Sequence, residues 1–170
     1  NKKINDDNKV ELTVEFSGGT IKYSIDYADE TTDVTGATYS APFAMTAPGT
    51  VTAWVEANGT TTDLVKGKYF GYKDAPFTLE TGGTKTPELI PAIETGDNIG
   101  YNATGAYESS ATGVATFTSG TIAGTGIGTA TVTANIDYTS DVQPVVILNP
   151  EKKVTAEVNV AIAAFDLNGD

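Results

Sequence analysis

The sequence predicts an all-β protein made of two tandem β-sandwiches, and three observations lead to this prediction. Apolar and polar residues alternate with a period of two in many short segments, which is typical of strands buried on one face. Turn residues separate these segments at intervals of about 8 to 12 residues, a spacing that favours sandwiches over βαβ units. Finally, 39% of the 170 residues are apolar, which is enough for one large core or two small ones.

The first predicted sandwich covers residues 1–73. A strand over residues 10–16 and a strand over residues 21–25 both alternate cleanly, and the short turn between them predicts a hairpin. The acidic, Thr-rich stretch 26–36 predicts a long loop. Turn residues at 47–49 and 58–60 then separate three further predicted strands, which cover residues 38–43, 50–57 and 64–72.

The second predicted sandwich covers residues 74–170, after a boundary marked by the polar residues and the proline of segment 73–76. Pro87 and Pro91 indicate that segment 88–93 is an edge or irregular strand. Alternation is cleanest in residues 128–136 and 154–162. The remaining predicted strands cover residues 77–79, 99–107, 114–119, 120–123 and 142–148. The strand that begins at residue 154 continues to residue 165.

The charge balance limits the kinds of partner that the chain can bind. Twenty-two Asp and Glu residues oppose ten Lys residues, and the net charge is -12. Such a chain repels polyanions and has no basic patch for phosphates, so we expect no nucleic-acid partner. No apolar run is as long as a membrane span, so we expect none in this sequence.

Cysteine and histidine are absent from the sequence. Their absence excludes Cys nucleophiles, Ser-His-Asp triads, an imidazole base and a Cys/His zinc site, which removes most familiar hydrolase mechanisms. A pair of carboxylates for glycoside hydrolysis is not excluded, but it needs a cleft that small sandwiches rarely provide. The expectation is therefore a non-enzyme, and the acidic, Cys-free composition favours an extracellular or cell-surface bacterial protein.

Three stretches of the first half resemble a known family. Segment 20–26 (TIKYSID), segment 39–43 (YSAPF) and segment 50–59 (TVTAWVEANG) resemble the chitobiase/β-hexosaminidase C-terminal domain, over most of residues 9–72. The family's usual DGSxPT loop is replaced here by residues 26–31 (DYADET). This resemblance implies an immunoglobulin-like module of the kind attached to secreted glycosidases and surface proteins.

The second half resembles the bacterial immunoglobulin-like group 2 domains. The likeness rests on segments 109–118 (SSATGVATFT), 120–124 (GTIAG) and 128–134 (GTATVTA), although the family's tryptophan before the Ser-Ser step is absent. It implies a repeated stalk or adhesion module. Together the two resemblances imply two tandem immunoglobulin-like β-sandwich domains, neither of which carries a catalytic centre.

The aromatic residues are the candidate ligand-binding residues. Trp54 is the only tryptophan, and alternation places it opposite the apolar face of its strand. With Tyr23, Tyr27, Tyr39 and Tyr69 it could form a stacking platform for a sugar ring. The alternative is that Trp54 fills a domain interface or covers a sheet edge.

Two acidic clusters could bind Ca²⁺. Asp26, Asp29, Glu30 and Asp33 lie in the predicted loop, where the alternative is a solvated acidic segment. Asp166, Asn168 and Asp170 place oxygen ligands at positions one, three and five, and the segment resembles the start of a dockerin calcium loop. Its alternative is a polar tail. No other cofactor is expected.

These expectations combine into two functional hypotheses. The first is a structural or adhesive module pair of a bacterial cell-surface or secreted protein, with other domains of the same polypeptide as its partners. The second is a carbohydrate-binding accessory module of a secreted glycosidase or a cellulosome-type protein, with a polysaccharide as the partner.

Overall fold

A computed structural model describes residues 2–4, 8–14, 18–28, 32–62, 64–102 and 107–163. The predicted all-β class is confirmed, since strands make up 54% of the chain. No helix in the described part of the chain has the length and apolar character needed to cross a membrane. The strands of residues 1–73 are β1 Lys2–Ile4, β2 Val10–Leu12, β3 Thr20–Tyr27, β4 Val34–Thr38, β5 Gly49–Ala57, β6 Thr60–Thr61, β7 Val65–Tyr69 and β8 Gly71–Tyr72.

The rest of the chain adds ten strands and a single 3-10 turn, Pro150–Lys152, within the described ranges. The strands are β9 Phe77–Glu80, β10 Thr84–Lys85, β11 Leu89–Ile90, β12 Ile99–Tyr101, β13 Glu108–Ser109, β14 Ala115–Thr118, β15 Thr121–Gly124, β16 Gly128–Tyr138, β17 Val145–Ile147 and β18 Lys153–Ala161.

The first half is built on a six-stranded sheet in the order β17-β7-β5-β3-β4, with β6 paired to β5. Alternate residues of β3 and β5, such as Ile25 and Val51, point to the same face and are buried. In the two-stranded β1–β2 sheet, Val10 forms a bridge with Phe43, whose ring stacks on Tyr23 of β3. Val10, Leu12, Ile25, Val51 and Ala53 thus form a first core together with Leu148.

The second half is built on a five-stranded sheet and a three-stranded sheet. The first has the order β12-β16-β18-β9 with β13 paired to β16, and the second has the order β10-β15-β14. Val132 and Val158 from the larger sheet and Phe117 and Ile122 from the smaller one are buried in a common second core. The cleanest alternation in the sequence, in β16 and β18, therefore marks the strands at the centre of this core.

Strand β17 belongs to both cores. It pairs parallel with β7, so a strand from the second half completes the sheet of the first half. Val145 and Ile147 lie in the second core, whereas Leu148, and Val146 beside it, pack in the first. A strand buried on both faces reads as a continuous apolar run, and segment 145–148 (VVIL) is such a run.

The predicted hairpin between residues 10–16 and 21–25 is wrong. β2 pairs with β1, while β3 is flanked by β4 on one side and by β5 on the other. Because eight residue pairs join β3 to β5 and β4 occupies the opposite edge, β3 has no free edge for β2. Ladder pairing over the full strand outweighs the short turn signal.

The predicted loop at residues 26–36 and the predicted strand at 38–43 are also wrong in position. β3 continues to Tyr27, and the next strand is β4 at Val34–Thr38. A bulge permits this arrangement, because the register shifts between Tyr23 and Ile25 and Gly36 adopts φ 60°. Only glycine takes that conformation without cost, and its N–H donates to Ser24 Oγ at 3.0 Å.

The last predicted strand needs a smaller correction. β18 ends at Ala161, and residues 164–165 of the predicted strand lie outside the described residues.

The division into domains at residues 73 and 74 stays a prediction, as does the immunoglobulin-like sandwich in each half. Pairings between β17 and β7 and between β11 and β8 cross that boundary.

Candidate functional site at the junction of the two halves

A buried ion pair fastens β7 to the second half. The Lys68 side chain is 4% exposed, and its Nζ lies 2.6 Å from Asp97 Oδ2, whose side chain is 7% exposed. The same Nζ donates to the carbonyl oxygen of Ala92 at 3.0 Å and lies 3.3 Å from Glu94 Oε2. A buried charge is tolerated only when it is paired and hydrogen-bonded, and Lys68 meets both conditions.

Asp97 is fixed in turn by its own loop. Its Oδ2 also accepts a hydrogen bond from the Glu94 backbone N–H at 2.9 Å. The carboxylate therefore closes the turn over residues 94–97 and faces the ammonium group at the same time. Since Lys68 lies on β7 and Asp97 lies on the loop before β12, the pair fixes a specific placement of one half against the other.

The Asn149 side chain extends the β7–β17 ladder by one step. Its Oδ1 accepts from the Phe70 N–H at 2.7 Å, and its Nδ2 donates to the Phe70 carbonyl at 2.8 Å. Nδ2 also donates to the Lys153 carbonyl at 3.1 Å. The amide thus replaces a backbone partner for Phe70, in the segment where the chain passes from β7 to β8.

We expect Asn149→Ala to lower the free energy of unfolding by about 1–3 kcal/mol, because it leaves the buried N–H and C=O of Phe70 without partners. Urea unfolding of the variant and the parent measures this loss. Asn159→Ala controls for the loss of an asparagine side chain, because its amide bonds the exposed side chains of Thr129 and Glu157. A change of equal size in both variants would contradict the role given to the Asn149 amide.

A cleft of about 550 Å³ opens beside these contacts. It lies between residues 46–48, the strand ends at 69–72 and the segment that follows β17. Glu151 is the one carboxylate among its described lining residues, and it lies 3.1 Å from Lys153 Nζ. Glycoside hydrolysis requires two carboxylates facing each other, and the residues lining this cleft do not supply that pair.

A row of aromatic rings leads from the junction into the second core. Tyr72 and Tyr101 share a hydrogen bond of 2.9 Å between their hydroxyl oxygens, and their rings meet edge to face. Tyr107 and Phe117 continue the row. Burial, followed by the hydrogen bond with Tyr101, raises the pKa of Tyr72 well above its usual range, and burial is also the main cause that raises the pKa of Tyr101.

These raised pKa values predict a loss of stability at alkaline pH. The unfolded chain releases the two phenolic protons near the ordinary pKa of 10.0, whereas the folded protein retains them. The stabilising contribution is complete below pH 10 and decreases as the pH rises above it. We expect the urea midpoint to fall between pH 9 and pH 11, and to fall less in a Tyr72→Phe/Tyr101→Phe variant. Equal decreases in both proteins would contradict the assignment.

Comparison with known proteins gave solved structures of low sequence identity and no family. No family model matches the chain, and no curated protein matches it. The first structure is the S-layer protein SbsC, domains 4 and 5, with 17% identity and a TM-score of 0.33, covering 83% of this chain and 70% of the other. The second is surface layer protein SbsC, domains 4–9, with 16% identity and a TM-score of 0.35, covering 96% of this chain and 25% of the other.

The likeness to S-layer domains is weak. TM-scores below 0.5 do not establish a shared fold, so this likeness carries no argument about the function of the chain. Both sequence resemblances, to the chitobiase C-terminal domain and to the bacterial immunoglobulin-like group 2 domains, stay predictions.

The five candidate aromatic residues do not share one surface. Trp54 lies on the face of β5 opposite Val51 and Ala53, half-buried, and its Nε1 donates to Glu56 Oε1 at 3.1 Å. The four tyrosines instead pack partly buried against the first core, on the other face of the sheet; these are Tyr23, Tyr27, Tyr39 and Tyr69. A platform of Trp54 with these tyrosines is therefore not present, and binding by Trp54 alone stays a prediction.

The tyrosines have structural surroundings of their own. Tyr23 stacks on Phe43 with the ring centroids 4.7 Å apart, and Tyr39 meets both rings edge on. The Tyr27 hydroxyl accepts a hydrogen bond from Thr46 Oγ1 at 3.3 Å. Tyr69 lines the junction cleft. These contacts account for the positions of the rings through packing of the first core.

The candidate calcium ligands fall mostly outside the described residues. Asp166, Asn168 and Asp170 lie outside them, as do Asp29 and Glu30. Of the predicted acidic loop, Asp33 Oδ1 accepts from the Tyr27 N–H at 3.0 Å and so closes the β3–β4 connection. Among the residues that the structure describes, no group of three Asp, Glu, His or Cys side chains is placed to hold a metal ion.

Sequence reasoning did not find the three polar residues that hold the junction, Lys68, Asp97 and Asn149. A lysine or aspartate in a soluble protein is nearly always exposed, so residue type alone argues against burial. One signal was present for Asn149, which directly follows the apolar run 145–148 and precedes Pro150. No comparable signal marks the pairing of Lys68 with Asp97, which are 29 residues apart.

Proposed function

We propose that the chain is a non-catalytic structural module of a bacterial cell-surface or secreted protein, in which the two halves act as one stiff unit. The observation that carries this proposal is the position of β17, which completes the sheet of the first half and places side chains in both cores. Moving one half against the other would require β17 to leave a core or to break its ladder.

The polar contacts of the junction support the same proposal. If Lys68 and Asp97 separate, each buried charge loses its oppositely charged partner. If the Asn149 side chain moves away, the N–H and the C=O of Phe70 both lose their hydrogen-bond partner. A buried charge or buried backbone group without a partner is costly, so bent arrangements of the two halves are disfavoured. These contacts use polar side chains to fix orientation rather than to bind a substrate.

The chemistry available on the chain supports a non-catalytic role. The sequence has neither Cys nor His, and the described lining of the junction cleft contributes a single carboxylate, which is paired with Lys153. A module of this kind positions its neighbours, so its proposed partners are other domains of the same polypeptide. The proposed location is the bacterial cell surface or the extracellular medium, as the acidic, Cys-free composition favours.

Spin-label distance measurements test the stiffness directly, and the absence of native cysteines makes the labelling specific. We propose the variant Thr61→Cys/Thr118→Cys, which carries one exposed label in each half. The matched control is Thr118→Cys/Thr131→Cys, with both labels in the second half. We expect distance distributions of similar width for the two proteins. A broad or multi-peaked distribution confined to the first variant would contradict the proposal.

Trp54 separates this proposal from the carbohydrate-binding alternative. Trp54 is the aromatic residue on the outer face of β5, so any stacked sugar would change its fluorescence. We expect no change on titration with chitin or plant-polysaccharide fragments, and Trp54→Ala to leave retention on immobilised polysaccharide unaltered. A saturable fluorescence change, together with a loss of retention on immobilised polysaccharide in Trp54→Ala, would favour the accessory-module function instead.

A further inference from the structure

The first and last strands of the second half lie side by side and run parallel. β9 pairs with the C-terminal end of β18, with Val158 opposite Phe77 and Ala161 opposite Glu80. The ladder extends one residue further, because the Thr81 N–H and Thr81 Oγ1 both donate to the Ala161 carbonyl, at 2.9 and 3.0 Å. Chain enters the half at the start of β9 and leaves it at the end of β18.

This geometry determines how tension acts on the fold. When the chain is pulled from both sides, β9 is drawn toward its N-terminal end and β18 toward its C-terminal end. Two parallel strands then slide past each other, so the bonds between them are loaded together. In the opposite case, when two strands are pulled apart from the same end, the bonds break one after another. Sliding therefore requires a higher force than peeling.

From this placement we propose that the β9–β18 pair is a mechanical clamp, and that bearing tension along the polypeptide is a function of this module. The inference rests on the proposed structural role, since a spacer between a cell and a distant contact is pulled along its chain. The clamp resists mechanical force and does not bind a ligand.

The surroundings of the pair support the clamp. β18 is bonded on its other side to β16 through eight residue pairs, so it cannot peel away by itself. Phe77, Val158 and Val160 are buried, which keeps water from the side chains that anchor the two strands. Just beyond β9, the Gly82 N–H donates to the Gly124 carbonyl at 2.8 Å and ties the strand end to the smaller sheet.

Single-molecule pulling between engineered cysteines tests the clamp. In the first variant, Ala75→Cys/Ile162→Cys, the two handles load β9 and β18 by sliding. In the second, Thr81→Cys/Ile162→Cys, the handles sit at the same end of both strands and peel them apart. A third protein carries Thr81→Ala in the first pair, and so controls for the Thr81 hydroxyl. Urea unfolding first establishes that the three proteins are equally stable.

We expect the force needed in the first and third variants to exceed the force in the second by roughly twofold or more, because four residue pairs share the load. Equal forces in the two directions would overturn the clamp. This outcome is separable from failure of the stiff-unit proposal, because all handles lie in the second half while the spin-label experiment compares the two halves. If the clamp exists but the two halves move independently, the unfolding force depends on the pulling direction and the spin-label distances between the halves are broadly distributed. If the halves form a stiff unit without a clamp, the unfolding forces are equal and the spin-label distributions have similar widths.

Discussion

Replacing Asp97 with alanine is expected to lower the free energy of unfolding by about 3–5 kcal/mol, the range found when one partner of a buried ion pair is removed. The Lys68 ammonium would remain almost completely buried while its 2.6 Å partner is lost. Glu94 cannot replace that partner fully, because its carboxylate is 72% exposed and its charge is screened by water. Urea unfolding at neutral pH measures the loss.

Two further variants separate the buried charge from the loss of a side chain. Glu88→Ala breaks the exposed pair with Lys73, in which the charged atoms are 3.6 Å apart, and we expect a change within about 1 kcal/mol. Lys68→Met/Asp97→Asn removes both charges but keeps a side-chain oxygen for the Glu94 N–H, and it should recover most of the stability lost in Asp97→Ala. If Asp97→Ala and Glu88→Ala cost the same, the Lys68–Asp97 pair does not hold the junction.

Leu148→Ala is the second change with a large expected effect, a loss of about 2–5 kcal/mol. Leu148 directly follows β17 and is fully buried in the first core. Its side chain covers Gly67 so closely that a Cβ at position 67 would lie 3.0 Å from Leu148 Cγ. Removing the isobutyl group leaves a cavity where β17 meets β7, which neighbouring strands cannot fill without giving up their register.

The matched control for Leu148→Ala is Val142→Ala, three residues before β17 and 68% exposed. We expect this change to stay within about 0.5 kcal/mol. Thermal unfolding followed by circular dichroism compares the two variants with the parent. A Leu148→Ala protein as stable as the Val142→Ala protein would show that Leu148 contributes no core packing to the first half.

The alternation of apolar residues predicted the central strands well, because burial on one face imposes a period of two on the sequence. Residues 50–57 and 128–136 were predicted as strands and correspond to β5 and β16. Strand partners could not be predicted in the same way. Pairing depends on which edges remain free in three dimensions, and for this reason the hairpin between residues 10–16 and 21–25 was wrong.

The junction could be predicted only in part. Residues 142–148 were predicted as a strand, yet nothing in this sequence says that the two faces of the strand enter different cores. Gly36 shows a further limit: in a Thr-rich, acidic stretch a glycine reads as part of a loop, whereas in the fold it forms the bulge that lets β4 pair with β3. The roles of both segments depend on contacts between residues that are far apart in the sequence, and local composition does not reveal those contacts.

Hydrogen exchange at increasing, sub-denaturing urea concentrations tests most directly whether β17 joins the two halves into one cooperative unit. Amides of β5 report on the first core and amides of β16 report on the second. The shared strand predicts that the slowest amides of both strands exchange through one opening, with equal free energies and equal urea dependence. Exchange of β5 at a clearly lower free energy than β16, with a smaller urea dependence, would mean that the first half opens alone and would contradict the account.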